Sequence, residues 1–352
     1  MTAQSLPKTV HQWNVDVTSG SDSLRFSEQP LPQIGDDEVL VKLQAASLNF
    51  RDMLIPRGEY PFPIAANVVP GSDGAGTVLA VGKHVSRFQP GDKVVTVFSP
   101  DYIGGPVTPA ATVGSLGAGF DGVFRTFGIF KAHGLVALPK GLTMAEGATL
   151  PCAGVTAWNA LFGLSDNKLL CGQWVLTQGT GGVSVFALQF AKAIGARVIS
   201  TTGSSEKVKF LKDLGADHVI NYRDDLEWGS TAKKLTGGIG VDHVVETSGP
   251  PSMAQSLSAV KVGGVISIIG FVAGQAKDQP GFLECLLHFC TARGIMVGSR
   301  AQMEEMCQAI EANLGKLHPV VDSRVFKLDQ LKEAFEYLGL GQHKGKVVLE
   351  IE

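Results

Sequence analysis

Four side chains that could take part in chemistry lie within one short stretch, LNFRDMLIPRGEY, at residues 48–60. They are Asn49, Arg51, Asp52 and Tyr60. An amide and a phenol can donate hydrogen bonds to an oxyanion, and a carboxylate can hold a proton. The stretch contains no cysteine and no histidine. It is therefore either an active site that needs no metal or a polar turn at the surface.

A glycine-rich segment, VLTQGTGGVSVFALQ, is the second candidate site. Its glycines stand between a predicted strand and a predicted helix, where backbone N–H groups and the helix N-terminus can bind a pyrophosphate. Ser184 occupies the third position of the G-x-G-x-x-G pattern, so the motif alone is weak. The strand–turn–helix context favours dinucleotide binding over an ordinary turn. We assign the phosphate loop to Gly179, Gly181, Gly182 and Val183.

The end of the following strand predicts which nucleotide binds. Units that bind NAD usually carry an acidic residue about 20 positions further on, which bonds the ribose 2′-hydroxyl. Here Thr202 and Ser204 stand at that place, and Lys207 and Tyr222 follow. Hydroxyl groups and a cation suit a 2′-phosphate, so the pattern favours NADPH. The alternative is that Lys207 is an ordinary solvated lysine.

The elements that position these residues indicate an α/β protein of two domains, as expected for 352 residues. The first ~130 residues are rich in strands, whereas strands and helices alternate from about residue 150. The pattern includes a strand at 264–270, a helix at 282–292 and a strand at 295–299. We expect a doubly wound parallel sheet inserted into a β-rich domain.

Composition excludes several classes of function. With 44% apolar and 18% charged residues and a net charge of −3, the chain has no electrostatic footprint for nucleic acid or an anionic membrane. No apolar span or signal peptide is visible. The five cysteines form an odd and scattered set, which predicts reduced thiols and a cytoplasmic protein. Cys285, His288 and Cys290 cannot face one ion on a helix.

The sequence resembles the medium-chain dehydrogenase/reductase superfamily, and within it the zinc-independent quinone oxidoreductase branch. The motifs that carry the resemblance span nearly the whole chain: LNFRDM, PGSDGAGTVLAVG, FQPGDKVV, LPCAGVTAWNAL, GTGGVSVFALQFAKAIGARVI, LGADHVINYR and HKGKVVLEI. It implies a GroES-like catalytic domain from 1–150 and 300–352, a Rossmann domain from 151–299, and a site in the cleft between them. It also implies a homodimer formed through an edge strand of the Rossmann sheet, which we predict to be 264–270.

The resemblance also bears on zinc. In the zinc enzymes of the superfamily, a Cys, a His and a second Cys hold the catalytic metal beside a Glu. Those positions fall on Asn49, Ser72, Cys152 and Asp73 here. A catalytic zinc needs three protein ligands, and only one strong ligand remains. The loop that carries a structural zinc in those enzymes has no cysteine here, so we expect no metal. Without a Lewis acid, hydride addition to a conjugated carbonyl is easier than alcohol oxidation.

The resemblance further implies roles for single residues. Asn49 would lie near the nicotinamide or the substrate carbonyl, and Tyr60 would donate a hydrogen bond or a proton to the developing oxyanion. Tyr60 could equally line the cleft without chemistry. Asp52 would cap the local helix or pair with Arg51. Thr156 matches a position that often contacts the nicotinamide.

Further cofactor contacts are expected where strands of the Rossmann sheet end. Ser248, in ETSG, would border the adenosine, and Gly270, Phe271 and Val272, in IGFVAG, would border the nicotinamide. Lys346, in HKGKVV, resembles a position near the chain end that contacts the cofactor. The alternative is that Lys346 is a surface lysine.

The leading hypothesis is an NADPH-dependent oxidoreductase that reduces quinones or α,β-unsaturated carbonyl compounds, a small-molecule substrate class, without zinc. An enoyl-thioester reductase is the first alternative, and a zinc-free alcohol dehydrogenase-like protein is the second. A non-catalytic nucleotide-binding scaffold is the third.

Overall fold

The structure is a computed structural model that describes residues 6–16 and 23–352. Its strands are β1 (Thr9–Val15), β2 (Leu24–Pro30), β3 (Glu38–Ser47), β4 (Asp73–Val81), β5 (Lys93–Thr96), β6 (Phe127–Lys131), β7 (Leu135–Ala137), β8 (Trp174–Gln178), β9 (Arg197–Thr202), β10 (His218–Asn221), β11 (Val241–Glu246), β12 (Val260–Ile268), β13 (Thr291–Gly294), β14 (Val321–Lys327) and β15 (Lys346–Glu350). Its helices are α1 (Phe50–Leu54), α2 (Pro109–Val113), α3 (Met144–Gly147), α4 (Val155–Phe162), α5 (Gly182–Ala193), α6 (Glu206–Asp213), α7 (Trp228–Leu235), α8 (Met253–Ala259), α9 (Leu283–Leu287), α10 (Arg300–Ala312) and α11 (Leu331–Gly339).

The chain divides into two units. The first unit comprises Met1–Cys152, Ser299–Ala312 and Pro319–Glu352, and the second comprises Ala153–Gly298 and Asn313–His318. No helix among the described residues is both long enough and apolar enough to span a bilayer.

The first unit is built on a seven-stranded sheet in the order β14-β15-β3-β4-β5-β7, with β6 paired to β3. Strand β3 is buried along most of its length, and its alternate residues Val39, Val41 and Leu43 belong to one core. Val347 and Leu349 of β15 join the same core, and α11 covers it with Phe335 and other apolar residues. The final segment of the chain is therefore fixed beside β3, which ends at the LNFRDM stretch.

The second unit is a six-stranded parallel sheet in the order β10-β9-β8-β11-β12-β13. The order reverses between β8 and β11, and this reversal defines a doubly wound sheet. Every residue of β8 and β11 is buried, as expected of inner strands covered on both faces. The predicted fold class, a doubly wound parallel sheet combined with a β-rich GroES-like domain, is confirmed.

Three predicted elements of the second unit are wrong. The apolar run 282–292 is not one helix, because α9 ends at Leu287 and Phe289 turns the chain with a φ of 48°. The chain continues as strand β13, which ends at Gly294, so no strand covers 295–299. The segment 264–270 is not an edge strand, because β12 lies between β11 and β13. The edge strand on this side of the sheet is β13.

Candidate active site

Strand register brings Lys346 to the beginning of the LNFRDM stretch. Val348 of β15 pairs with Ser47 of β3, and the backbone N–H of Leu48 donates to Val347 O at 3.0 Å. The same antiparallel register, continued to the first residue of β15, sets Lys346 opposite Asn49. On the other side of β3, Ser47 pairs with Asp73 of β4. Three distant segments of the chain therefore meet at the end of β3.

The Lys346 ammonium is only 4% exposed and is surrounded by oxygen atoms. Its Nζ donates to Leu48 O and to Asn49 Oδ1, both at 2.5 Å, and forms an ion pair with Asp73 Oδ2 at 3.4 Å. Asp73 is fully buried. The interpretation of Lys346 as a surface lysine is therefore wrong. Sequence alone does not reveal this burial, because lysine is rarely buried without a partner and the partners come from distant positions.

Hydroxyl groups complete this arrangement, which we call the lysine cluster: Lys346, Asn49, Ser72, Asp73 and Ser47. Asn49 Nδ2 donates to Ser72 Oγ at 3.3 Å, and Ser72 Oγ donates to Asp73 Oδ1 at 2.6 Å. Ser47 Oγ lies 3.2 Å from Asp73 Oδ2. Each carboxylate oxygen of Asp73 thus accepts hydrogen bonds, as a buried carboxylate requires.

Three of the four positions that match zinc ligands and their neighbouring Glu in the superfamily lie in the lysine cluster: Asn49, Ser72 and Asp73. Two of them, Asn49 and Asp73, contact a fixed ammonium instead of a metal. Within the described residues, no group of three or more His, Cys, Asp or Glu side chains has the geometry to hold a metal ion. The fourth position is Cys152, whose pKa burial raises to about 12, so its thiol stays protonated.

Asp52 caps the short helix α1. Its Oδ2 accepts the backbone N–H of Asn49 at 2.8 Å, which fixes the backbone that carries the Asn49 amide. Asp52 is fully buried, and no described residue bonds its Oδ1. Burial raises the pKa of this carboxyl to about 6, against the opposing effect of the nearby Arg51 charge. The alternative role for Asp52, an ion pair with Arg51, is not found among the described residues, so the capping role is the one that the structure supports.

Arg51 instead lies between two aromatic rings, in what we call the arginine cluster: Arg51, Tyr60, Phe98 and Ser115. The guanidinium carbon is 4.9 Å from the centroid of the Tyr60 ring and 4.6 Å from that of Phe98. Its Nη2 lies 3.4 Å from Ser115 Oγ. These cation–π contacts fix the Tyr60 ring.

The Tyr60 phenol keeps its proton at neutral pH. Burial raises the pKa of the phenol above 10.0, although the Arg51 charge opposes the shift. The charge of the Asp52 carboxylate also raises the pKa of Tyr60, so the phenol lies within electrostatic reach of this side chain. The first unit therefore places Asn49, Asp52 and Tyr60 around α1, and Lys346, Ser72 and Asp73 form a connected group with Asn49.

In the second unit, the glycine loop has the backbone geometry of a phosphate site. Gly179 follows β8 with a φ of 79°, and Gly181 is the N-cap of α5. A Cβ atom built on either glycine would meet nothing within 4 Å, so the space beside the loop is open. Ser184, at the place of the third glycine, turns inward and donates to Gln178 O at 2.5 Å. The loop therefore exposes N–H groups at a helix N-terminus without a side chain in front of them, which fits a pyrophosphate.

Polar groups gather at the end of β9. Ser204 N donates to Thr202 Oγ1 at 3.2 Å, which shapes the turn into α6. A Cβ built on Gly203 would lie 2.5 Å from Tyr222 Oη and 3.1 Å from Arg223 Nε. A phenol and a guanidinium thus converge on the turn where the ribose of a dinucleotide is bound in such sheets. Lys207 lies in the first turn of α6.

The two loops that were expected to border the cofactor lie side by side. Ser248 N donates to Gln178 Oε1 at 3.1 Å and to Glu246 Oε1 at 3.0 Å. Ala273 N donates to Ser248 O at 3.0 Å, and this bond places the segment of Gly270, Phe271 and Val272 against the Ser248 turn. Thr156 is a buried residue of α4. The Ser248 turn follows β11, at the reversal of the sheet order, and the segment 270–272 follows β12, the neighbouring strand.

The comparisons with known proteins agree with this architecture. The model of the alcohol dehydrogenase GroES-like domain matches residues 35–140, and the zinc-binding dehydrogenase model matches residues 182–312. A zinc-type alcohol dehydrogenase-like protein of Schizosaccharomyces pombe is 48% identical over 341 residues, which cover 96% of this chain and 98% of that protein. In structure, a protein of Sinorhizobium meliloti 1021 described as an alcohol dehydrogenase aligns with a TM-score of 0.89 and 39% identity, over 99% of this chain and 100% of that one. An NAD-dependent alcohol dehydrogenase aligns with a TM-score of 0.86 and 31% identity, over 97% and 100% of the two chains.

The chain belongs to the medium-chain dehydrogenase/reductase superfamily, among its zinc-type alcohol dehydrogenase-like proteins. It is an oxidoreductase, and members of this superfamily use nicotinamide cofactors. The superfamily prediction is confirmed.

Proposed function

We propose that the protein is an NADPH-dependent reductase of quinones or α,β-unsaturated carbonyl compounds that works without zinc. The observation that carries the proposal is the lysine cluster. A catalytic zinc would need anionic or imidazole ligands around an open position, whereas Asn49 and Asp73 already surround the Lys346 ammonium. The remaining hydrogen-bond donors suit an anion that is already delocalised, such as an enolate or a hydroquinonate.

The residues of the glycine loop would hold the cofactor. Gly181, Gly182 and Val183 would present backbone N–H groups to the pyrophosphate, whereas the Gly179 N–H donates to Thr201 O of β9 at 2.8 Å and holds the turn in place. The bound nicotinamide supplies the hydride. Thr202, Ser204 and Tyr222, together with the Arg223 guanidinium, would hold a 2′-phosphate, and the absence of a carboxylate from positions 202–205 removes the usual partner of an unphosphorylated ribose. Lys207 would add a second cation.

Two donors would stabilise the oxyanion that forms on the substrate. Asn49 Nδ2 carries two protons, of which Ser72 accepts one. Tyr60 holds its phenolic proton at neutral pH because burial raises its pKa. In this proposal Asn49 orients the carbonyl, Tyr60 donates a hydrogen bond or a proton to its oxygen, and Asp52 fixes the Asn49 backbone.

Turnover measurements test the proposal. NADPH oxidation is followed with a panel of quinones, enones, enoyl thioesters and aldehydes, each with and without a chelator. We expect turnover of quinones or enones that the chelator does not change. Alcohol oxidation that the chelator abolishes would contradict the proposal and would favour a zinc-dependent enzyme; alcohol dehydrogenase is the activity named for several relatives. NADPH binding without any turnover would favour a scaffold.

We also propose that the protein forms a homodimer through the β13 edge of the second unit. No strand of residues 6–16 or 23–352 pairs with the outer side of β13, and α9, which precedes it in sequence, exposes Leu283, Leu286 and Leu287 by 60% or more. Phe282 is 99% exposed. Exposed apolar residues of this number beside an open strand are typical of an interface.

Light scattering tests the dimer with a matched pair of variants. Leu286→Lys should give a monomer, whereas Leu226→Lys, at another exposed leucine of the same unit, should leave the dimer intact. A wild-type protein that is monomeric at micromolar concentration would refute this assembly.

A further inference from the structure

We infer that Lys346 is a positioning residue, which polarises the Asn49 amide and aims its N–H group at the substrate oxygen. The inference rests on the proposed function, because it explains how a neutral amide could stabilise an oxyanion where related enzymes use a metal. It assigns to Lys346 neither a direct contact with the substrate nor a contact with the cofactor.

The contacts of the ammonium account for all of its protons. A lysine Nζ has three N–H donors, and here three acceptors surround it: Leu48 O, Asn49 Oδ1 and Asp73 Oδ2. The side chain is 4% exposed. No donor is left over for a substrate or a phosphate, so Lys346 has to act through the groups that it touches.

Among these groups, the Asn49 amide is the one that can pass the effect on. Its Oδ1 is bound to the ammonium at 2.5 Å, and one proton of its Nδ2 goes to Ser72 Oγ at 3.3 Å. No described residue accepts the second Nδ2 proton. A cation on the carbonyl oxygen of an amide withdraws electron density from its nitrogen, which makes the remaining N–H a stronger donor.

The series of hydrogen bonds that links Lys346, Asn49, Ser72 and Asp73 also fixes the orientation of the Asn49 amide. If the amide were flipped, its NH₂ group would face the ammonium, and two donors would oppose each other. Ser72 Oγ donates to Asp73 Oδ1 at 2.6 Å and is therefore ready to accept from Asn49. The second N–H group of Asn49 is held in one direction before any substrate arrives, and such preorganisation is what makes a donor effective in stabilising an oxyanion.

Two other roles would explain the burial of Lys346. It could merely neutralise Asp73, which would otherwise be an unpaired buried charge, or it could contact the cofactor, as the sequence resemblance implied. Both roles predict results that differ from those of a polarising lysine.

The decisive experiment compares Lys346→Met with the double variant Lys346→Met/Asp73→Asn. The single variant leaves the Asp73 carboxylate buried without its cation and should be less stable, so its activity alone does not decide the role. The double variant removes both charges and should recover the thermal stability. Lys332→Met, at an exposed lysine of α11, is the control for loss of a lysine charge from the same segment.

For a polarising lysine, the double variant has a kcat lower than wild type by roughly 10- to 100-fold on the best quinone or enone. This loss is smaller than the roughly 100- to 1000-fold for removal of a whole oxyanion donor, because the Asn49 amide itself remains. Its dissociation constant for NADPH stays within twofold. Recovery of kcat together with stability would overturn the inference, because Lys346 would then only neutralise Asp73. A tenfold loss of NADPH affinity would overturn it in favour of a cofactor contact.

A measurement without turnover separates this inference from the proposed function. In protein labelled with ¹⁵N-asparagine, the side-chain amide resonance of Asn49 is assigned by its loss in Asn49→Ala. The amide shift should move clearly in the double variant and stay unchanged in Lys332→Met. If the wild type reduced none of the tested substrates, this shift would still support the positioning role, and an unchanged shift would refute it.

Discussion

The glycine loop of the second unit and the lysine cluster of the first are built on opposite plans. The loop is local and consists of backbone, since β8, the turn and the first residues of α5 follow one another in the chain. The lysine cluster consists of side chains, and Lys346 is 298 positions away from Leu48, whose carbonyl it binds. The loop needs side chains to be absent at two positions, whereas the cluster needs particular side chains at every position.

This difference has consequences for charge. The loop offers partial charges from N–H groups and a helix end, and these cost little to keep exposed. The lysine cluster and its surroundings bury Lys346, Asp73, Asp52 and Arg51, and buried charges are stable only with partners. Asp52 Oδ1 and two nitrogens of Arg51 have no hydrogen-bond partner among the described residues. The first site therefore gives up stability to hold its groups in place, and the second does not.

The glycine loop differs from the lysine cluster because it needs a side chain to be absent. The largest expected effect is therefore that of adding a side chain at Gly179. Gly179→Asp sets a carboxylate where the pyrophosphate would bind. We expect the dissociation constant for NADPH to rise roughly 100-fold, because like charges in a desolvated contact cost several kcal/mol. Fluorescence titration measures the change.

Gly172 provides a matched control for this substitution. It precedes β8 in the same unit, with a φ of 81° and open space around a Cβ, as at Gly179. Gly172→Asp should show a similar loss of stability, of about 1 kcal/mol for a left-handed residue, and normal NADPH affinity. Equal affinity losses in the two variants would mean that strain, not the phosphate site, explains the effect.

The same contrast decides how much of the molecule could be predicted from the sequence. The strand–glycine–helix order of the loop lies in consecutive residues, so both the parallel sheet and the strand–turn–helix structure of the loop were predicted correctly, while its binding of a phosphate stays a prediction. Asn49, Asp52 and Tyr60 were selected as a group; Asp52 fixes the Asn49 backbone, and the Tyr60 ring packs on Arg51 of the same helix. The burial of Lys346 was missed, because it depends on the register of β15 against β3, which local patterns do not encode.

The errors in the second unit have a related cause. The run from 282 to 292 has apolar residues suited to a helix, yet α9 covers only five residues and leaves its leucines exposed. Periodicity shows that a face is apolar, but not whether the same chain covers it. The residues after Cys290 form β13, which is the edge strand of the sheet. The segment 264–270 therefore belongs to an inner strand.

The second prediction concerns the side chains of the first site. Tyr60→Phe should lower kcat on the best quinone or enone by roughly 10- to 100-fold, because proton donation to the oxyanion is lost. The ring itself should keep its position. The Arg51 contact with the ring remains possible, so stability should change little. Steady-state kinetics and a thermal melt measure both quantities.

Tyr337→Phe is the control for loss of a phenol in the same unit. Its hydroxyl lies 3.0 Å from Asp322 Oδ1, and neither residue belongs to the site. We expect normal kcat for this variant. Unchanged turnover in Tyr60→Phe would reduce Tyr60 to a residue that shapes the pocket.

The third prediction concerns the side chains around the glycine loop, which would choose between the two nicotinamide cofactors. Arg223→Ala should raise the dissociation constant for NADPH about tenfold and leave that for NADH within twofold, because a guanidinium bonds a phosphate but adds little to a hydroxyl. Lys212→Ala, at an exposed lysine of α6, should change neither constant. Equal losses for both cofactors would show that Arg223 does not contact the 2′-phosphate.

The smallest expected effect is on the pH dependence of stability. We expect this effect at the first site, which buries a carboxyl group, and not at the glycine loop. Burial raises the pKa of Asp52 to about 6, from 3.8, so the folded protein binds this proton more tightly than the unfolded chain does. The ionised carboxylate therefore destabilises the fold progressively as pH rises through about 4 to 6. Asp52→Asn removes that penalty and keeps an oxygen that can cap α1.

Asp52→Asn should accordingly raise the melting temperature above pH 7 by a few degrees, which corresponds to about 1–3 kcal/mol. It should give no increase near pH 4, where the wild-type carboxyl is largely protonated. Gly172→Asp, which adds a solvent-facing carboxylate in the second unit, should show no such crossover between the two pH values. If Asp52→Asn stabilised the protein equally at pH 4 and above pH 7, the ionisation of Asp52 would not be the cause of the stabilisation. The first site would then owe its strain to packing alone, and the contrast with the glycine loop would no longer be one of charge.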